Sequence, residues 1–206
     1  MPYLSPTEYV SYGLSADTSD DWIAAASVLI DAHCRRTSLA VTQYTERVRL
    51  TTGSSTARLS YRPLAAAEGA TSPLVSVLAR YGQPRRGEGD DLRYEIASAF
   101  GLPGSSSEID IAAVDLNLFA GEIALPCHLL GLQVREVEVT YTAGLATIPE
   151  AVKFACAQIV KNAQATPALN VRSSRIDTLA MEYFSGSLID PVVEAMLRPY
   201  IAERMG

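Results

Sequence analysis

The stretch VEVTYTAGLATIPEAVK, residues 137–153, joins a strand pattern to a helix pattern. In its first half, apolar and polar residues alternate, which is the period of a β-strand with one buried face. Gly144 permits a tight exit from that strand, and Pro149 presets the backbone for the first turn of a helix. The stretch therefore predicts that a β-rich region ends near residue 142 and that helix begins near Glu150.

The C-terminal part of the chain continues the helical pattern. After Pro149, apolar residues recur at spacings of three and four, as they do on one face of a helix. These residues are Val152, Ala155, Cys156, Ile159, Val160 and Ala163. A last helix is predicted to begin with Asp190 as its N-cap and Pro191 in its first position, and Pro199 is predicted to kink or end it. Residues 176–184 between the two helices are predicted to be extended.

The N-terminal part is also predicted to be helical. Ser5, Pro6 and Glu8 form the pattern of a capping box that opens a short helix ending near Gly13. A second helix is predicted from Thr18 to about residue 36, and its apolar positions recur at helical spacing. Those positions are Trp22, Ala25, Ala26, Leu29, Ile30, His33 and Cys34. We predict a shared helical core that buries Trp22, Leu29, Ile30, Cys156 and Ile159.

The middle of the chain has the period of strands. Residues 47–51 and 57–62 alternate around the turn sequence at 53–55, which predicts a hairpin with arginines along one face. A further strand is predicted for residues 75–81, with loops at 82–91 and 101–107. Residues 92–100 and 109–125 fit either helix or strand, and short strands are favoured over helices. The predicted fold class is α+β, in a single domain of residues 1–206. Its helical core comes from residues 1–40 and 145–206, and its β-rich insertion from about 43–142.

Charge is distributed in blocks along the chain. Seventeen Lys and Arg against 23 Asp and Glu give a net charge of −6, which disfavours a dedicated nucleic-acid binder. Residues 35–93 hold ten arginines and five acids, whereas residues 94–150 hold eight acids and one arginine. Two interpretations stay open: blocks of opposite sign that pair between identical neighbours, or scattered solvated charge.

Residues that could carry chemistry are sparse. The three cysteines lack the spacing of a disulfide framework or a zinc site, so a reducing cytoplasm is expected. His33 is interpreted as a core or helix-end residue, and the neighbours Cys127 and His128 point to opposite faces of an extended chain. No signal peptide or membrane span is expected. We predict no catalytic residue, no cofactor and no metal site, and acids at 108–110 and 136–138 are interpreted as solvated edges.

Several segments, taken in order, resemble the tailed-phage head-to-tail connector (adaptor) family. The resemblance covers residues 1–62 and 131–206, whereas the β-rich residues 64–130 depart from the compact members of the family. It rests on YLSPTEY at 3–9, CRR at 34–36, VEVTYTAG at 137–144, IPEAVK at 148–153, RSSRI at 172–176 and LRPY at 197–200.

The resemblance implies a structural virion protein of the phage neck, assembled in the cytoplasm of the bacterial host. It implies a homo-oligomeric ring of about twelve copies. Such a ring docks under the portal protein, extends the DNA channel and joins the next stopper or tail protein. It implies no catalytic residues. The alternatives are another neck or tail-completion ring (a stopper or tail terminator), an enzyme whose site lacks a known motif, and a DNA-binding module.

Two sets of residues are hypothesised to make partner contacts. The amphipathic C-terminal segment, broken by Pro199, is hypothesised to dock onto the portal through Arg198, Tyr200 and Arg204. The arginines of the predicted hairpin are hypothesised to lie at a subunit interface or on the channel wall, where they could contact DNA transiently. These arginines are Arg47, Arg49, Arg58 and Arg62.

Overall fold

A computed structural model describes residues 2–82, 92–102, 104–128, 132–165, 173–176, 179–182 and 188–202. Helices and antiparallel sheets are both present, so the predicted α+β class is confirmed. The helices are α1 (Asp20–His33), α2 (Leu92–Ala99), α3 (Glu150–Ala165) and α4 (Pro191–Leu197). The strands are β1 (Thr42–Arg49), β2 (Thr56–Arg58), β3 (Leu74–Tyr81), β4 (Ser106–Glu108), β5 (Asp115–Asn117), β6 (Glu122–Ala124), β7 (Val134–Ala143), β8 (Ser173–Ile176) and β9 (Leu179–Glu182). Among the helices of these residues, none is long and apolar enough to cross a membrane.

The chain divides into two compact units. The helical unit comprises Met1–Leu39 and Thr147–Ile201, and it contains α1, α3 and α4. The β-rich unit comprises Ala40–Ala146 and Ala202–Gly206, and it contains β1 to β7 and α2. Each unit has its own hydrophobic core. That the whole chain forms one domain stays a prediction.

The N-terminal segment of the helical unit opens as the sequence predicts. The capping box of Ser5 and Glu8 is present, although the turn that follows, Pro6–Glu8, is a 3-10 helix. A second 3-10 helix, Val10–Tyr12, ends at Gly13, whose φ of 73° lies in the left-handed region. Helix α1 then begins after Ser19, whose side chain accepts a hydrogen bond from the Asp21 N–H. Helix α1 thus begins slightly later than the predicted start at Thr18.

Helix α1 buries a different face from the predicted one. Its fully enclosed large residues are Ile23 and Ile30, whereas Trp22 is 39% exposed and Leu29 37% exposed. The predicted burial of Trp22 and Leu29 is therefore wrong, and that of Ile30 is confirmed. The helix ends at His33 because Arg35 adopts a left-handed φ of 55°, so the predicted end at residue 36 is also wrong.

Helix α3 buries all of its predicted apolar face. Cys156 and Ile159, which were assigned to the shared core, are 0% and 1% exposed. The α3 face belongs to one buried cluster with residues of α1, α4 and the N-terminal segment. The other buried members of that face are Val152, Ala155, Val160 and Ala163.

The centre of the β-rich unit is a four-stranded sheet in the order β1-β7-β3-β4. Strand β7 pairs antiparallel with β1 on one side and with β3 on the other. Its alternate residues Val137, Val139 and Tyr141 are all 0% exposed, as their spacing predicts. The opposite face of the sheet carries the intervening polar residues of β7.

The predicted hairpin of residues 47–62 is wrong. Strand β1 pairs with β7, whereas β2 pairs with β6 in a separate three-stranded sheet of order β2-β6-β5. The turn at Gly53 is present, with a φ of 87°. Because the backbone groups of both strands bond to distant partners, the turn does not close a hairpin. The second predicted strand is also shorter, ending at Arg58.

Three other segments differ from their predictions. Residues 92–99 form a helix, although a short strand was favoured there, and the strand Ser106–Glu108 overlaps the end of the predicted loop 101–107. The predicted strands between 109 and 125 are reduced to β5 and β6. Pro199 ends α4 as predicted, since the helix stops at Leu197 and a 3-10 turn follows. Most of the predicted loop 82–91 lies outside the described residues.

Candidate functional site: an arginine-lined groove

Charged side chains lie in register on the polar face of the four-stranded sheet. Across β1 and β7, Arg47 lies opposite Glu138 and Arg49 lies opposite Glu136. On the other side of β7, Arg80 of β3 also lies opposite Glu136. Side chains directly opposite in an antiparallel pair are neighbours. Glu136 is therefore placed between two arginines.

Arg47 forms the clearest ion pair of this face. Its Nε atom lies 2.7 Å from Glu138 Oε2 and 3.7 Å from Glu136 Oε1. The hydrogen bond to Glu138 raises the pKa of Arg47 above its usual value. The Arg47 side chain is 68% exposed, so the pair contributes little to stability. Acidic residues of the range 94–150 thus pair with an arginine of the range 35–93 within one copy of the chain.

Four arginines line one open groove of about 860 Å³ in the β-rich unit. The groove brings together three of the arginines that the sequence singled out, and it adds Arg80. Arg62 does not line it. Apolar residues also contribute to the walls, including Val48, Leu50 and Ala57. The four arginines are Arg47, Arg49, Arg58 and Arg80.

The arginines of the groove differ in how they are held. Arg80 Nε donates a hydrogen bond to the Gly104 carbonyl oxygen at 3.0 Å. Within the described part of the chain, no residue bonds to the guanidinium of Arg49. Arginine presents a planar fork of donors that fits carboxylate or phosphate groups. The groove can therefore bind an anionic group beside an apolar surface.

Arg80 could not be found as a site residue from sequence. It lies in a strand that was correctly predicted, but its position beside Arg49 depends on both strands pairing with β7. That pairing joins residues 49, 80 and 136, which are far apart in the chain. Local patterns do not contain this information.

A second feature of the β-rich unit, the turn of residues 117–121 between β5 and β6, was also missed. We call this turn the hairpin tip. Leu118 is 50% exposed and Phe119 is 87% exposed. The tip is fixed by two backbone bonds: the Leu118 carbonyl accepts from the Leu64 N–H at 2.9 Å, and the Gly121 carbonyl from the Leu59 N–H at 2.8 Å. Asp115 and Glu122 flank it.

The C-terminal residues hypothesised to dock onto the portal lie in different environments. Arg198 is exposed, whereas Tyr200 is half-buried and packs against the helical core. The Tyr200 carbonyl oxygen accepts a hydrogen bond from Arg36 Nε at 3.0 Å. Arg204 lies outside the described residues. That these residues contact a portal stays a prediction.

Two of the three cysteines, Cys34 and Cys156, are buried. Burial raises the pKa of the Cys34 and Cys156 thiols to about 11, so both are protonated at neutral pH. His128 packs edge-to-face on Tyr81, with 4.8 Å between the ring centres. His33 is the last residue of α1, and its Nε2 atom has no hydrogen-bond partner among the described residues. No group of His, Cys, Asp or Glu within those residues could hold a metal ion.

Helix α1 also has an uncovered apolar face, which we call the outer face of α1. It is opposite the face that contains Ile23 and Ile30. Val28 is 64% exposed, and Trp22 and Leu29 are more than a third exposed. The remaining exposed positions beyond the first turn are the alanines Ala24, Ala25 and Ala32. A helix that is apolar all round is normally buried on all sides.

In comparisons with known proteins, no protein-family model matches the chain, and no curated protein matches it in sequence.

Proposed function

We propose that this protein is a structural subunit of a tailed-phage neck, a head-to-tail adaptor that assembles into a ring under the portal protein. The observation that supports the proposal most is the outer face of α1. An aqueous surface gives no reason to place Trp22, Val28 and Leu29 together on one side of a helix. Another protein surface does, because each Å² of apolar surface removed from water contributes roughly 25 cal/mol.

The division into a helical and a β-rich unit suits such a subunit. The helical unit holds most of the segments that resemble the adaptor family, including α3 with its IPEAVK opening and the final LRPY turn, whereas VEVTYTAG lies in the β-rich unit. The β-rich unit carries the arginine-lined groove and the hairpin tip. Because the unit contains β-sheets, the alternative of a stopper or tail-terminator ring stays open, since those proteins are dominated by β-structure. The helical unit favours the adaptor.

The experiment that tests the proposal mixes the purified protein with the portal ring of the same phage. Negative-stain electron microscopy and size-exclusion chromatography then show whether the two form one particle. We expect a ring of density added to one end of the portal, with about twelve copies per particle. A stopper or tail terminator would need another ring before it joined the portal.

A matched pair of variants links the assembly to α1. Val28→Lys puts a charge on the outer face of α1, and Val10→Lys puts one on an equally exposed valine outside α1, since Val10 is 67% exposed. Both proteins should keep the circular dichroism spectrum of the parent. Only Val28→Lys should lose the added ring. If wild-type protein leaves the portal particle unchanged, the proposed function is wrong.

A further inference from the structure

The β-rich unit contains two surfaces of complementary chemistry. The arginine-lined groove is cationic and has apolar residues in its wall. The hairpin tip is apolar and has the carboxylates of Asp115 and Glu122 beside it. Both surfaces border Thr56 of β2, yet they are distinct. A second copy of the chain therefore offers each surface its complement.

We infer that the hairpin tip of one copy occupies the arginine-lined groove of a second copy. Phe119 and Leu118 lie against the apolar wall at Val48, and the Asp115 carboxylate pairs with Arg49 and Arg80. The inference rests on the proposed function and deepens it, because it names the surfaces by which neighbouring copies of the ring meet.

The tip has the properties of an interface anchor. Phe119 exposes 87% of its surface, and aromatic residues are enriched among the side chains that contribute most to binding. The hydrogen bonds of Leu118 and Gly121 to the backbone at residues 64 and 59 hold the turn in one conformation. A turn that is already ordered loses little conformational entropy on binding.

The groove has the properties of a receptor for that anchor. Guanidinium groups stack on aromatic faces and bind carboxylates through two parallel hydrogen bonds. Arg49 is exposed, and within the described residues its guanidinium has no bonded partner. Arg80 is fixed by Gly104. An arginine with its donors available and an arginine bonded to the backbone thus border the apolar wall.

The same observations disfavour a nucleic-acid backbone as the occupant. Glu136 lies inside the groove and Glu138 is bonded to Arg47, so these two carboxylates offset part of the arginine charge, and the remaining charge suits a single carboxylate better than a run of phosphates. The chain as a whole carries a net charge of −6. The lining residues include no aromatic side chain on which a base could stack. The apolar wall of the groove and its charges of both signs fit a segment of a protein.

The contact joins different surfaces of two copies, so it is heterologous and leaves one groove and one tip free at the ends of any open chain. This property gives a decisive test without the portal. A groove variant, Arg49→Ser with Arg80→Ser, and a tip variant, Leu118→Ser with Phe119→Ser, should each self-associate at least about tenfold more weakly than wild type. Mixed in equal amounts, they should form a one-to-one dimer and nothing larger. The dimer joins the intact tip of one variant to the intact groove of the other.

Analytical ultracentrifugation over a concentration series measures these masses, and circular dichroism checks that each variant is folded. Arg49→Ser alone is a milder groove variant with the same expected direction. Phe100→Ser is the matched control, because Phe100 is 77% exposed in the same unit but lies outside the tip. It should associate as wild type does.

Several results would overturn the inference. It is wrong if either double variant self-associates as strongly as wild type, or if the mixture is no heavier than its components. It is also wrong if wild type stays monomeric up to about 1 mM, where even weak specific contacts are populated. A short DNA duplex that binds wild type and the tip variant but not the groove variant would assign the groove to phosphate instead. None of these results affects portal binding, so the proposed function can succeed where this inference fails.

Discussion

Gly144 lies so close to Ala40 that a Cβ atom on Gly144 would be 2.4 Å from the Ala40 carbonyl oxygen. The φ angle of Gly144 is 142°, a value that residues with a side chain rarely adopt. The Gly144 N–H donates a hydrogen bond to the Pro63 carbonyl oxygen at 3.0 Å. The exit from β7 is thus enclosed by backbone on two sides. Only glycine fits both the angle and the space.

Gly144→Ala should therefore destabilise the β-rich unit by about 3 kcal/mol or more, since left-handed strain and overpacking add. Gly53→Ala is the matched control. Gly53 also has a positive φ, of 87°, but a Cβ there meets no atom within 4 Å. It should cost only about 1 kcal/mol. Urea denaturation measures both free energies of unfolding, and equal costs would contradict the close approach.

Neighbouring residues of α1 should differ sharply in their contribution to stability. Ile30→Ala should cost about 2–5 kcal/mol, because Ile30 is 0% exposed in the helical core. Leu29→Ala should cost less than about 1.5 kcal/mol, because Leu29 is 37% exposed and much of its surface already contacts water. Thermal and urea unfolding of both variants measure the difference. A larger cost for Leu29→Ala would show that its side chain is buried.

The error at Leu29 has a physical origin. The sequence of α1 after its two opening aspartates, WIAAASVLIDAH, is apolar on nearly every side, so spacings of three and four fit two different faces. One face contains Ile23 and Ile30, and the other contains Trp22 and Leu29. In α3, the polar residues Lys153, Lys161 and Asn162 fall outside the apolar stripe, and the buried face was predicted correctly. Periodicity locates a core face only where polar residues mark the opposite one.

The arginine-lined groove could be predicted only in part. The strands that contain Arg47, Arg49 and Arg80 follow from alternation in the sequence. That these arginines lie close together does not follow from the sequence, because β1 and β3 both pair with β7 and not with each other. The local turn signal at Gly53 favoured a hairpin, which long-range pairing overrode. The hairpin tip was missed for a similar reason, since exposure of Phe119 depends on how the turn packs.

Acid should weaken the link between the N-terminal segment and α3. The Glu8 carboxylate accepts hydrogen bonds from Lys153 Nζ at 2.5 Å, from the Ser5 N–H at 3.0 Å and from Ser5 Oγ at 2.9 Å. These bonds lower the pKa of Glu8 from 4.5 to about 2. Because the folded pKa is the lower one, the stabilisation is complete above pH 4.5 and is lost as the pH falls towards 2.

Glu8→Gln should therefore be less stable than wild type at pH 6, and the difference should shrink to nearly nothing at pH 2. Unfolding free energies measured between pH 2 and pH 7 test this. The control is Glu68→Gln, which changes an exposed carboxylate in the β-rich unit. It should follow wild type across the range. A Glu8→Gln difference that stays constant with pH would contradict the role of the Glu8 charge.

The C-terminal element gives a test of portal docking that leaves the helical core intact. Helix α4 is anchored at its start, where the Asp190 carboxylate accepts from the Val193 N–H at 2.7 Å and from Asn162 Nδ2 at 3.2 Å. Tyr200 packs against the core, so deleting residues 199–206 would damage the unit as well as any docking surface. Arg198 is exposed and can be changed alone.

Arg198→Glu should keep the unfolding temperature of wild type but weaken binding to the portal by at least about tenfold, the equivalent of about 1.4 kcal/mol. Reversing a charge at an interface replaces attraction with repulsion, and salt screens that repulsion. The loss should therefore be largest at low ionic strength.

Arg35→Glu, at another exposed arginine of the helical unit, is the control and should bind as wild type. Pull-down with immobilised portal at 50 mM and 500 mM salt, between which the Debye length falls about threefold, measures both effects. If Arg198→Glu binds as tightly as Arg35→Glu at both concentrations, portal docking belongs to another surface, and the outer face of α1 becomes the next candidate.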